Sequence, residues 1–275
     1  EAFKILNRVY KNPVEVNFLH LSRKTIFPLQ IQNPDDIFSA STNVNLWVST
    51  PKKIIELLEN LIFDEKLEKV EKLCSENGFL YDQYFPNQSA FYAFCRFFKE
   101  RLFSIEKAKT YTETFKSNFS RYFEGRTATF DIGYSCRIES LLKNLFGYDI
   151  TPFYIHINNE IPLFRAKKDN VKINTFLNYE SGVTGLQREL FISKLEGSLV
   201  SYKEENGALV PVTAEIEYNR TAQNIISEIQ NAALEFVSDI SDIFGEQIDF
   251  LFFSREDASL PYEYFLTYPK LADRR

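Results

Sequence analysis

Within Asp131-Ile132-Gly133-Tyr134-Ser135-Cys136-Arg137 the chain brings together an acid, a glycine, a serine and a guanidinium. The residues before them, Thr127-Ala128-Thr129-Phe130, are apolar and β-branched. Those after them are amphipathic as far as Gly147, and a second apolar run follows from Phe153 to Ile157. That order spells a β-α-β unit with a small-residue loop between strand and helix. Such a loop presents free backbone N–H groups at a helix N-terminus, where a phosphate can sit. Asp131, at the strand's end, would take a metal, a ribose hydroxyl or a substrate amine, while the loop amides and Arg137 hold the anion. The alternative is structural: Asp131 caps the helix and Gly133 permits the turn. One glycine falls short of a Walker or dinucleotide fingerprint.

A second stretch, Glu180-Ser181-Gly182 to Gly185-Leu186-Gln187-Arg188-Glu189, sets two glycines before a helix bearing Arg188. It reads as a ligand loop with Arg188 on a phosphate, or as a connection followed by a solvated helix face. The ligand-binding set expected from the sequence is therefore Asp131, Gly133, Tyr134, Ser135, Arg137 and Arg188. Arg255-Glu256-Asp257 before Pro261-Tyr262-Glu263-Tyr264 offers carboxylates for acid–base work, or a charged loop beside an aromatic anchor. Leu21-Ser22-Arg23-Lys24 offers two cations for a phosphate, or an exposed turn. His20 and His156 are the only histidines, and Cys74, Cys95 and Cys136 are widely spaced, so neither a zinc site nor a histidine triad is readily built. His156, in the run Tyr154-Ile155-His156-Ile157, reads as a packed strand residue. The sequence assigns no catalytic residue, metal or cofactor.

The elements that must position these groups follow from periodicity. Ser49-Thr50-Pro51 is a helix start, a hydroxyl cap with proline at the first helical position, and Ile54, Ile55, Leu58, Leu61 and Ile62 continue it. Leu67, Val70, Leu73 and Cys74 mark a second helix stopping near Gly78. Ser89 to Phe103 is an aromatic-rich helix. In Ser104 to Glu124, Tyr111, Phe115, Phe119 and Phe123 make one apolar stripe, with Gly125 as the stop. Residues 45–125 thus read as helical. After the β-α-β unit, Asn174 to Tyr179 is a short strand and Gly185 to Leu195 a helix. Ser198 to Tyr202 and Ala208 to Ile216 form a hairpin across Asn206-Gly207. Thr221 to Phe244 is a helix with Ile226, Ile229, Ala233, Val237, Ile240 and Phe244 on its inner face.

Composition bounds the function. The 275 residues suffice for one large domain or two ordinary ones, and 44% hydrophobic with 25% charged residues is a globular balance. A net charge of −6 argues against sequence-independent nucleic-acid binding, which needs a basic face. No apolar run approaches the roughly 20 residues that span a bilayer, and no signal-peptide pattern opens the sequence. The three irregular cysteines point to a reducing, cytoplasmic compartment. The absence of methionine points to a piece of a longer or processed chain. The 27 phenylalanines and 15 tyrosines, beside many Lys, Asn and Ile, suit an AT-rich coding bias better than an aromatic ligand cage.

The segments LHLSRKTIFPLQ, FDIGYSCRIESLL, LEGSLVSY, NIISEIQNAALEFV and LPYEYFLTYP, in that order, resemble a bacterial family. They are similar to the region downstream of the phosphatase-like domain in multidomain hydrolases of the haloacid dehalogenase (HAD) superfamily. The resemblance covers almost the whole chain, and order and spacing carry it more than any single motif. It matches the family's Asp-Ile-Gly-aromatic motif at Asp131, Ile132, Gly133 and Tyr134. It implies surface-polysaccharide synthesis, often beside glycosyltransferase domains, with partners among other domains of the same polypeptide. The chain departs from a HAD phosphatase in one respect: Gly133 stands where the second acid of Asp-x-Asp belongs. Trp47-Val48-Ser49-Thr50, which resembles the second HAD motif, precedes Pro51 and reads as a helix cap. The expected fold is α/β: a mainly helical subdomain over residues 1–125 and a Rossmann-like subdomain with a mostly parallel sheet over 126–275. The expected function is an accessory or substrate-handling region that binds a phosphorylated sugar or nucleotide. A glycosyltransferase domain using a nucleotide sugar and a non-catalytic scaffold are the alternatives.

Overall fold

The structure, a computed structural model, describes residues 1–11, 13–44, 46–63, 67–131, 135–157, 160–177, 192–205, 208–251 and 254. Up to Phe123 the described chain is built from helices: α1 (Ala2–Leu6), α2 (Arg23–Ile26), α3 (Asp36–Val44), α4 (Pro51–Leu57), α5 (Leu67–Glu76), α6 (Gln88–Phe97) and α7 (Ile105–Phe119), with short 3-10 turns between several of them. Their starts are chemical. Thr50 holds an extended backbone and accepts the Lys53 N–H, with Pro51 in the first turn. Asn87 accepts from Ala90 and Ser104 from Lys107 in the same way. Each such cap satisfies a donor that helix geometry leaves unbonded. The expected cap at Thr50, in place of a strand at Trp47–Thr50, is what the chain forms.

The predicted stripe on α7 is core: Tyr111, Phe115, Phe119 and Phe123 are all buried. Phe115 stacks on Phe119 at 4.5 Å between ring centroids and on Phe146 at 5.9 Å. Fully burying one such ring is worth about 1.5–3 kcal/mol. The main hydrophobic cluster takes in Ile26 to Phe123 and extends to Leu142, Ile150, Leu199 and Tyr202.

Past Gly125, whose left-handed backbone ends the helical run (φ 74°), comes the alternating part. Its elements are β1 (Thr127–Asp131), α8 (Arg137–Phe146), β2 (Ile150–His156), α9 (Ile161–Lys168) and β3 (Asn174–Leu177). β1 and β2 pair in parallel, from Thr127 opposite Ile150 to Asp131 opposite Tyr154. β2 pairs in parallel with β3. The second strand begins at Ile150 rather than Phe153, directly after the turn at Gly147 (φ 72°). Strand order is β1-β2-β3. Right-handed crossovers that advance in one direction put their helices on one face. The contacts agree, since Tyr154 is buried with Ala166 of α9 and bonded to Glu139 of α8. On the other face Phe130, Phe153 and Phe176 form an exposed row. Phe3 of α1 meets Phe130 edge-on at 6.2 Å.

The expected hairpin forms, as β4 (Leu199–Glu205) and β5 (Ala208–Thr213), antiparallel with Glu205 opposite Ala208. It is longer in its first strand and shorter in its second than the apolar runs, and Asn206-Gly207 lies outside the described residues. It forms a sheet of its own rather than extending the parallel one. Its partners are helical. Tyr202 packs on Phe119 at 5.5 Å and donates its hydroxyl to the His20 carbonyl, and the Leu209 N–H donates to Asn118 Oδ1 at 3.0 Å.

The last long helix, α10 (Arg220–Phe244), is capped by Asn219 and followed by a 3-10 turn, Gly245–Phe250. Of its predicted inner face, Ile226 is buried and Val237, Ile240 and Phe244 are half-buried, while Ile229 and Ala233 are exposed. Phe236 and Ile243 are 64% and 72% exposed. The helix therefore rests on the body by one edge of its apolar face. Of the helix expected over 185–195, residues 185–191 lie outside the described residues, and Ser193 to Leu195 are not helical. Taken together the described elements are a mixed α/β architecture that includes a three-stranded parallel sheet.

Candidate functional site

β1 and α8 are joined at the C-terminal end of the parallel strands, the end at which α/β sheets carry their ligand sites. Asp131 is the last residue of β1 and is exposed. Ile132, Gly133 and Tyr134 lie outside the described residues, as does Arg188. Ser135 and Arg137 are both half-buried and flank the helix start. The structure thus brings Asp131, Ser135 and Arg137 to one turn. The helix cap is Cys136, not Asp131 as the structural alternative had it, and Cys136 supplies no side-chain cap bond. It sits in the left-handed region at φ 52°, where a side chain is strained.

Beneath this turn lies a buried polar network that the sequence reading missed. Glu139 is 4% exposed. One carboxylate oxygen accepts from the Tyr154 hydroxyl at 2.6 Å and the other from Thr129 Oγ1 at 3.2 Å. The network therefore ties β1, β2 and α8 together below Asp131. Burial pushes the Glu139 carboxyl above its usual range despite the opposing bonds from Tyr154 and Thr129, and the charge of Asp131 adds to the rise. Burial, with the charge of Glu139 beside it, also drives the Tyr154 phenol far upward, so it stays protonated and donates. Cys136 is raised by burial, against a 3.6 Å contact with Ser140 Oγ. The available signal was positional: Glu139 is the third residue of α8, where an acid commonly reaches back toward the helix start.

A second group missed from the sequence is Arg165, on α9. Its guanidinium donates to the Ser135 carbonyl, two residues before Arg137 in the chain. The end of β1 and the start of α8 therefore carry the Asp131 carboxylate, an arginine at the first helical position, Arg137, and a carbonyl held by Arg165, at a helix start with no side-chain cap bond. Such a set can hold an anion and accept hydroxyl protons. Among the described residues no group of three or more His, Cys, Asp or Glu is arranged to hold a metal.

The other sequence candidates fall elsewhere. Ser22 opens α2, accepting the Thr25 N–H at 3.3 Å and donating to the Leu199 carbonyl at 3.4 Å, so the Ser22–Lys24 stretch begins a helix packed on the hairpin rather than an exposed turn. Residues 255–257 and 261–264 lie outside the described residues. His20 bonds Glu196 through Nε2 at 2.9 Å, and Lys194 reaches the other Glu196 oxygen at 2.6 Å. Burial works to raise the Glu196 carboxyl, but Lys194 and His20 outweigh it and hold it below its usual range. This cluster ties the chain before α2 to the start of the hairpin. Cys74 and Cys95 are buried thiols pushed up to about 12 by desolvation. Among the described residues no helix is long and apolar enough to cross a membrane.

No protein-family model matches this chain, and no curated protein matches it.

Proposed function

We propose that the β1–α8 turn binds the phosphate of a phosphorylated sugar or nucleotide sugar, in a Rossmann-like substrate-handling region of a protein related to the HAD superfamily and serving bacterial surface-polysaccharide synthesis. The observation that carries the reading is Arg165, whose guanidinium donates to the Ser135 carbonyl just before α8 at the C-terminal end of the parallel strands. In this reading the loop amides and the two guanidiniums take the phosphate, and Asp131 accepts a sugar hydroxyl. The buried Glu139–Tyr154 pair keeps strand and helix in register beneath them.

Calorimetry with a panel of sugar phosphates and nucleotide sugars tests it. Arg165→Ala should weaken binding by about 1.5–3 kcal/mol, the worth of a charged hydrogen bond. Absence of binding by every member of the panel to folded protein overturns it.

A scaffold role, joining other domains of the same polypeptide, is favoured by a separate observation: Phe130, Phe153 and Phe176 lie exposed in one row on the sheet face away from α8 and α9. Exposed aromatic rows of this kind suit a partner surface.

A further inference from the structure

α6 does not stop where its α-helical bonding does. From Phe98 to Leu102 it continues as a π-helical turn, closed by the Phe103 N–H donating to the Phe98 carbonyl at 2.9 Å. In an α-helix, neighbours on one face are three or four positions apart, and residues five apart diverge. A π turn takes in an extra residue and swings the following side chains round the axis. Here it brings Arg101 onto the side of Arg96, and both open on one cleft with Glu100 beside them.

The opposite wall comes from the end of α5. Gly78 is left-handed at φ 81°, and the Phe79 N–H returns to the Cys74 carbonyl at 2.9 Å. That reversal throws Phe79 back on α6, its ring 5.1 Å from Phe97. Asn77, Phe79 and Phe97 complete the lining of a cleft of about 270 Å³.

The charges in this cleft do not balance. Lys99, on the same turn, pairs with Asp35. The Arg96 and Arg101 side chains form no hydrogen bond or ion pair with another described residue, and among the described residues Glu100 is the only acid in the lining. Two planar guanidiniums turned to one space match the oxygens of a phosphate better than a single carboxylate. The half-buried Phe79 and the edge of the buried Phe97 supply a narrow apolar strip beside them. The volume lies below the roughly 300–1,000 Å³ of pockets for drug-sized ligands, so the contact surface on offer suits a small body.

We propose that this cleft binds a phosphate monoester carried on a single small ring. It shares no residue with the β1–α8 turn, and either site can fail without the other.

The test is calorimetry on the whole chain with phenyl phosphate, glucose 6-phosphate, inorganic phosphate and glucose. The two monoesters should bind more tightly than inorganic phosphate, and glucose should not bind. Arg96→Ala and Arg101→Ala are surface changes expected to leave the circular dichroism unchanged. Each should weaken phenyl phosphate, which carries no sugar for the β1–α8 turn to hold, about tenfold or more. Glu100→Gln, which removes the competing acid, should tighten them. Lys99→Ala and Arg165→Ala should leave binding to this cleft as it was. Unchanged affinity in Arg96→Ala and Arg101→Ala overturns the proposal. So does a loss in Lys99→Ala equal to that in Arg101→Ala, binding of inorganic phosphate as tight as that of phenyl phosphate, or no binding of either monoester to folded protein.

Discussion

The Tyr154 hydroxyl donates to a Glu139 carboxylate oxygen at 2.6 Å, and this buried bond joins the middle strand of the sheet to the helix that crosses over it. Thr129, on the first strand, donates to the other oxygen. A carboxylate in this position is costly unless its lone pairs are filled, so the three residues stand or fall as a unit. Tyr154→Phe should therefore lower unfolding stability by about 1.5–3 kcal/mol, read by urea denaturation. A loss no larger than that of an exposed tyrosine would mean that the bond is not made.

The same pair sets a pH dependence. Glu139 has a raised carboxyl in the folded state. The folded chain then holds more protons than the unfolded chain above the ordinary carboxyl value of 4.5, so this group makes stability fall as pH climbs through that value. Glu139→Gln should gain on the parent protein as pH rises from 4 toward neutrality. Melting temperatures of the two proteins across that range decide it, and a gain by the parent would contradict the sign.

Glu196 should behave in the opposite sense. Held below its usual range by Lys194 and His20 against its burial, it contributes stability that is present above 4.5 and is lost as pH falls through its folded value. Glu196→Gln should flatten the acid limb of the melting profile, whereas Glu139→Gln changes the limb above it. The two variants on one pH axis separate the contributions.

All three cysteines are buried, and Cys74 and Cys95 are pushed up to about 12, so thiolate is scarce at neutral pH. A disulfide reagent added to native protein should label none of the three on the timescale of mixing, and should label all three in denaturant. Fast labelling of one thiol in the native state would expose a local opening.

Two glycines should differ in the cost of gaining a methyl group. At Gly147 nothing lies within 4 Å of an added Cβ, but the backbone is left-handed, so Gly147→Ala should cost about 1–2 kcal/mol through strain alone. At Gly197 an added Cβ would lie 1.7 Å from the Ala214 carbonyl oxygen, so the hairpin's base must separate. Gly197→Ala should be the more damaging, with a loss beyond the ~1–3 kcal/mol of ordinary overpacking. Paired denaturation curves give the ranking.

What the sequence alone determined is what few neighbouring residues decide. Thr50 with Pro51, the α7 stripe from Tyr111 to Phe123, the stop at Gly147, the parallel β-α-β unit and the pairing across Asn206-Gly207 rest on caps, periodicity and turn residues a few positions apart. The placing of Asp131 at a strand's end and Arg137 in the next helix's first turn was likewise legible, because they are six positions apart. The tertiary structure decided what depends on residues distant in the chain. Glu139 looks like a first-turn surface acid until Thr129 and Tyr154 close over it. Arg165 reaches the loop only because α9 packs beside α8. The hairpin settles on the helices through Ser22 with Leu199 and Asn118 with Leu209, as a sheet separate from the parallel one. α10 has a wider apolar face than its neighbours cover, so its register on the body cannot be read from spacing. Arg96 and Arg101 line one cleft because α6 ends in a π turn. Local chemistry chooses each element, but which of its faces is buried depends on the partner it meets.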